Sequence, residues 1–474
     1  MSYNFFGNED LKPIIEKFES YLNNNQTQSV FFDCEELIEL IDYYYDKGDI
    51  NKTGKALSIA LKLYPEDMDI AILNAKYISY KNNKKYAIKY LNEYLKRHPE
   101  NNNEYEMILT MANLYSFDNS SKAVELYNIL LKENPQDEEV LDNLANEYML
   151  MGDFDNVDII LRKELEIEYD DLDLLEDLAI NSKNLKDYQN TRKFLEELCD
   201  NHPYSINNWI GYAFLLFHNQ EYYDSITALD FALAIDENSL IANCYKGLSL
   251  VALQKEKEAI EIFKSLIEKS PDEASYSLFL GDIYESLEEW DEAIEYFLQY
   301  IKKGEEDINV LISLAHAYQE KDDEINSLIY ITEALEIDPK NFDARMAYAK
   351  MFAHFHYTQI SDSIFEELYN EQEHIDNVAA SWALNMVKSG RNFEAMHLLE
   401  KTIENFEMTS PILYYVFIEI ASNENYLKDN LDNWLYKLFL NFDITYQEFV
   451  LACPNIVNNP IYENLLNTYF DEKK

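Results

Sequence analysis

Glycine and proline are scarce in this chain, with nine and ten copies among 474 residues. A β-sandwich or barrel needs more of both for its many tight turns, so the scarcity points to helices. Cysteine is scarcer still. Cys34, Cys199, Cys244 and Cys453 lie far apart with no CxxC pair, which excludes a disulfide framework and the usual zinc spacings. They read as small apolar residues in a reducing compartment. No apolar run approaches the ~20 residues of a membrane-spanning helix; IGYAFLLF at 210–217 is among the longest. The opening residues MSYNFFGNEDLKPIIEKF place no basic stretch ahead of an apolar one, so no signal peptide is expected and the expected compartment is the cytoplasm.

Positive charge is the other shortage: 39 lysines and arginines stand against 89 aspartates and glutamates, a formal net charge of −50. The imbalance is uneven, since residues 1–100 hold 16 acids and 13 bases while 101–474 hold the other 73 and 26. Such a field repels nucleic acid and anionic membranes and attracts basic partners, besides keeping a long chain soluble. Chemistry-bearing motifs are missing as well: there is no GxGxxG, P-loop, GxSxG or HExxH. The eight histidines do not cluster, and His354 and His356 are spaced i, i+2, which would set them on different faces of a helix. Neither an enzyme nor a cofactor or metal site is expected.

What is present is a repeat. EAIEIF at 258–263 returns as EAIEYF at 292–297, 34 residues later. Gly247 recurs as Gly281, Ala315 and Ala349, and Phe263 as Phe297, Ile331 and Phe365, in the same steps. Prolines form an independent ladder: Pro65 and Pro99 are 34 apart, and Pro135, Pro203, Pro271 and Pro339 are 68 apart. The odd step, Pro99 to Pro135, contains the polar ENNNEYE, which reads as a lengthened turn. Within a unit, apolar residues fall at i, i+3, i+4 and i+7 in two runs separated by a polar turn such as ESLEEWD. That is two amphipathic helices per unit, with the small residues Gly281 and Ala293 where the pair crosses closely and proline ending the second helix.

LGDIY (280–284), LAHAY (314–318) and EALEIDP (333–339) resemble the tetratricopeptide repeat (TPR) family. The resemblance implies an all-α, right-handed superhelix of about eleven 34-residue helix-turn-helix units. Residues 34–409 hold the units, residues 1–33 an N-terminal capping helix, and residues 410–474 a helical cap or docking segment out of register. Ser225, Ser327, Ser361 and Val157 depart from the alanine usual at their position.

The family's geometry implies that the first helix of each unit lines a concave groove for a peptide. Carried over, the lining residues are Glu139, Asp142, Asn143, Asn146, Asp173, Glu176 and Asp177, followed by Phe214, Phe217, Tyr245, Phe279, Ile312 and Met346. The first group sits within 137–180, which holds sixteen acids and two bases. An acidic stretch beside an aromatic one suits a basic partner segment with apolar anchors. Alternatively, Phe214 and Phe217 serve only to pack against the next unit, and the acidic run is only a solvated face. The functional expectation is therefore a non-catalytic scaffold or adaptor that binds a protein or peptide, with a peptide- or ligand-gated sensor as the alternative. No nucleic-acid or membrane partner is expected; oligomeric state is not legible.

Overall fold

The computed structural model describes residues 8–23, 31–81, 83–116, 118–186, 188–304, 306–406, 410–423, 428–457, 466 and 470. Every regular element among them is helical. The chain divides into two compact units, Met1–Lys255 and Glu256–Lys474.

In the first unit an initial helix, Asn8–Asn23, buries Leu11, Ile14 and Phe18 against Phe32, Leu37 and Leu40. Antiparallel pairs then follow, among them Glu138–Met151 with Phe154–Leu165, Leu172–Ser182 with Gln189–Asn201, and Ile206–His218 with Tyr222–Ile235. The second unit continues the pattern with Ser275–Ser286 and Trp290–Lys302, Ile308–Glu320 and Glu324–Ile337, Phe342–His354 and Thr358–Glu371, and Ile375–Lys388 and Asn392–Asn405. Beyond these, Ile412–Asn423, Lys428–Asn441 and Tyr446–Ala452 bury Phe417, Trp434, Leu435 and Phe449 in a core continuous with Ala383 and Leu399 of the preceding pair. Of the sequence segment 410–474, residues 424–427, 458–465, 467–469 and 471–474 lie outside the described residues.

Local sequence explains why the pairs start and stop where they do. After several second helices comes Pro-x-Asp, Pro-x-Ser or Pro-x-Asn: Pro135 with Asp137, Pro203 with Ser205, Pro339 with Asn341. The proline cannot extend the helix behind it. Two residues on, the polar side chain caps the next helix, accepting the N–H of Val140, Asn208 or Ala344. The ENNNEYE insert becomes a 3₁₀ turn, Pro99–Asn103, a conformation suited to such a short connection. At the other end of six helix pairs the chain turns through one residue in the left-handed region. These residues are Gln220, Gln254, Glu288, Asp322, His356 and Gly390, with φ between 56° and 75° and a spacing of 34. His356 thus lies in a turn, one residue past Phe355, the C-cap of the helix that His354 closes.

The pairs touch through a small-residue seam. Where the first helix offers Gly281, the second offers Ala293. Where the first offers Ala213, Ala315 or Ala349, the second offers Ser225, Ser327 or Ser361. Each serine is fully buried and donates its hydroxyl to the facing alanine carbonyl at 3.0, 2.8 and 2.9 Å. The departures from alanine are therefore satisfied hydrogen bonds across the crossing. At Gly281 a Cβ would lie 2.4 Å from the ring of Phe297, itself fully buried. Gly281→Ala is expected to destabilise the second unit by about 2 kcal/mol, since a rigid aromatic ring must move; an unchanged urea midpoint would contradict this account of the seam.

Candidate functional site

In the first unit, the acidic residues singled out by sequence gather on two consecutive first helices. Glu138–Met151 is capped by Asp137 and Leu172–Ser182 by Asp171, and each carries further acids in its first turn, where the helix dipole favours them. Glu139, Asp142, Asn146, Asp173 and Asp177 are exposed, and Asn143 and Glu176 half-buried. Asn143 spends its amide on its own helix, donating to the carbonyl of Glu139 at 2.7 Å. Burial, reinforced by Glu176, Asp173 and Asp171, raises the Asp177 carboxyl above the usual range. No salt bridge to Asp142, Asp173 or Asp177 exists among the described residues. A few residues away, by contrast, Arg192 alone meets Glu196, Glu221 and Asp224.

The aromatic part differs from the sequence reading at one position. Phe214 does not reach solvent: it is 1% exposed. Gly211, one turn earlier, is the cause. A Cβ there would stand 2.7 Å from Cβ of Leu175, so Ile206–His218 lies tight against Leu172–Ser182 and shuts Phe214 inside. Tyr245 closes over it at 4.3 Å between ring centroids, and its hydroxyl donates to Glu176 at 3.3 Å from two units further along the chain. Burial and Glu176 push the Tyr245 phenol up to about 12. Phe217, half-buried, meets the same tyrosine at 5.5 Å. The structure thus brings together Glu176, Phe214, Phe217 and Tyr245, with Phe214 as their floor.

In the second unit, Phe279 is half-buried and turned toward Phe263, at 5.3 Å. Ile312 and Met346 line a cavity of about 640 Å³ bounded by Ile308–Glu320, Phe342–His354 and Ile375–Lys388. Met346 is only 6% exposed. Lys350 and Lys388 stand at this cavity with Glu320 and Asp343, so its charge is mixed.

One residue beside the acidic face escaped the lining rule because it lies on a second helix. Glu164, near the end of Phe154–Leu165, is 4% exposed. No donor among the described residues reaches either of its oxygens. Its carboxyl abuts that of Asp142 and faces Asp171 and Asp177, and burial, then Asp142, push it up to about 8. Two carboxyl groups in hydrogen-bond contact hold together only when one carries a proton. Burial favours that proton on Glu164.

No group of three or more histidine, cysteine, aspartate or glutamate side chains suited to a metal occurs among the described residues. None of their helices is long and apolar enough to cross a membrane. The thiols of Cys199 and Cys453 are buried and pushed up to about 12 by that burial, a setting for inert thiols.

Stacked antiparallel helix pairs with a 34-residue period define a helical repeat protein, a class built to present surfaces. Tetratricopeptide repeat family models match residues 245–308 and 308–341. The chain is a tetratricopeptide repeat protein. No curated protein matches it. Among solved structures it is similar to a tetratricopeptide repeat protein from Parabacteroides merdae, at 16% identity and TM-score 0.45 over 53% of this chain and 99% of that one. It is also similar to yeast Tom70, at 15% identity and TM-score 0.40 over 84% and 99%, and to a chain of the APC/C hetero-tetramer Cut9-Hcn1, at 14% and 0.40 over 90% and 96%.

Proposed function

We propose that the protein is a non-catalytic adaptor that holds a basic segment of a partner protein on the acidic face formed by Glu138–Met151 and Leu172–Ser182. The observation that carries this is a row of carboxylates, Asp142, Asp173 and Asp177, without a salt-bridged cation among the described residues. Asp173 and Asp177 are i, i+4 on one helix, a like-charge spacing that costs a few tenths of a kcal/mol. A chain that tolerates this cost beside a half-buried aromatic pair, Phe217 and Tyr245, offers cation and apolar-anchor sites together. The negative field of the whole chain steers such a partner inward.

The test uses a labelled dodecapeptide of alternating lysine and leucine as probe. Each exposed charge pair contributes roughly 0.5 kcal/mol, so the triple variant Asp142→Asn, Asp173→Asn, Asp177→Asn is expected to bind about tenfold more weakly, with a shallower salt dependence. Fluorescence anisotropy at two ionic strengths reads both. Equal affinity of the triple variant and the wild type would move the site elsewhere.

A further inference from the structure

Glu164 stands where the repeat ladder asks for a core residue. At the same register, in steps of 34, stand Leu130, Leu198, Ala232, Leu266, Ala334 and Leu368, all buried. The unit 138–171 holds three buried carboxyls, Glu147, Asp158 and Glu164. Asp158 is matched by Arg162 and by the hydroxyl of Thr191 at 2.5 Å, and Glu147 accepts from Ser116 at 2.5 Å. Glu164 alone of the three has neither a cation nor a hydroxyl. Its surroundings are carboxylates from both neighbouring first helices: Asp142 on Glu138–Met151, Asp177 on Leu172–Ser182, and the cap Asp171. A buried carboxyl ringed by acids, in place of a leucine, is a cost without structural return. It becomes favourable only when a positive charge arrives.

We propose that Glu164 and Asp142, with Asp177 beside them, form a subsite for one cationic side chain, lysine or arginine, of the bound segment, and that its arrival expels the proton Glu164 carries. The inference rests on the acidic face being the binding surface. In the free protein burial keeps Glu164 protonated beside Asp142. An ammonium or guanidinium group replaces the proton, donating to both carboxylates at once. The O–H bond of the carboxyl breaks, the proton leaves to buffer, and nothing else is exchanged. Exposed Asp142 is the group the incoming cation meets first, and Glu164 lies behind it. Affinity for a basic segment then rises with pH through the neutral range, because the proton and the cation compete for one place.

Isothermal titration calorimetry of the full chain with the lysine–leucine dodecapeptide, at about pH 7 in phosphate and again in Tris, measures protons released per peptide bound. The wild type is expected to release close to one proton, since a carboxyl titrating near 8 is mostly protonated there. Glu164→Gln is expected to bind several-fold more weakly and to release none. Asp142→Asn, a change at an exposed residue, serves as a second variant with the same expected loss of release. Binding by the wild type without release, or undiminished release from either variant, overturns the subsite and leaves the acidic face as binding surface. Absence of peptide binding by the wild type overturns both.

Discussion

Replacing Glu164 by glutamine is expected to stabilise the first unit by on the order of 3 kcal/mol at about pH 8 and by almost nothing at about pH 4. An ordinary glutamate titrates near 4.5, whereas burial and Asp142 raise this one to about 8. Between those values the unfolded chain has released its proton and the folded chain still holds it. The unfolded state therefore binds fewer protons across that window, and stability falls as pH rises. Below it both states are protonated and the group costs nothing; above it the folded state carries the whole penalty. Full conversion of the shift would give nearly 5 kcal/mol, an upper bound because water and side chains relax around a buried carboxylate. Glutamine keeps the shape, carries no charge at any pH and donates an N–H to Asp142. Amide hydrogen exchange over residues 138–182, compared across pH, reports the local stability. A wild-type profile parallel to that of the variant would mean that Glu164 is not the titrating group.

This gain and the proposed cation subsite have one cause. Sites that bind charge are kept unfavourable in the free protein and are relieved by the ligand, so removing the strain stabilises the fold and weakens function. A glutamate retained merely for solubility would sit outside, as Glu139 and Asp173 do. The two measurements separate the cases. A stabilised variant that still releases a proton on binding would leave the stability argument intact and remove the functional one.

Helix pairs were legible because the 34-residue ladder repeats every structural demand: small residues at the crossing, aromatics beside it, proline after it. The serines at 225, 327 and 361 read as departures from alanine until the facing carbonyls supplied their reason. The lining rule for first helices named Glu139, Asp142, Asp173 and Asp177, which are exposed, together with Phe214, which is buried. Exposure there depends on how closely two neighbouring helices approach, and that is decided by Gly211 against Leu175, a contact between different units of the ladder. Glu164 could have been found from sequence alone, as a charge at a register held from 130 to 402 by the uncharged Leu130, Leu198, Ala232, Leu266, Tyr300, Ala334, Leu368 and Thr402; a rule confined to first helices passes over it. The division of the chain after Lys255 has no counterpart in the ladder, which runs through that point without a break.

A second large effect is expected from the turns within the pairs. Changing Gln220, Gln254, Glu288 and His356 together to glycine should raise stability by about 2–4 kcal/mol in total. These residues close their first helices in the left-handed region, at φ of 65°, 59°, 58° and 66°. The hydrogen bonds around them recur. At Gln220 its own N–H reaches the carbonyl of Phe217, and the next N–H, of Glu221, reaches Leu216; Glu288 with Glu289 and His356 with Tyr357 repeat the pattern. Those bonds fix the backbone whatever side chain is present, so a side chain bearing Cβ adds only strain. Nature uses glycine at the same point in Gly152 and Gly390, with φ of 69° and 75° and no atom within 4 Å of the missing Cβ. Each glycine removes roughly 1–2 kcal/mol of left-handed strain and returns part of it as unfolded-chain entropy, a net gain of about 0.5–1 kcal/mol. Asp322 is left unchanged because its carboxylate meets His354 at 3.0 Å. The four sites sit in separate turns at least 34 residues apart, so their effects should nearly add. The control is alanine at the same four positions, which keeps Cβ and therefore the strain. Glycine raising the denaturation midpoint while alanine does not would assign the gain to backbone conformation. Equal gains from both would place the cost in the original side chains and remove the conformational account of these turns.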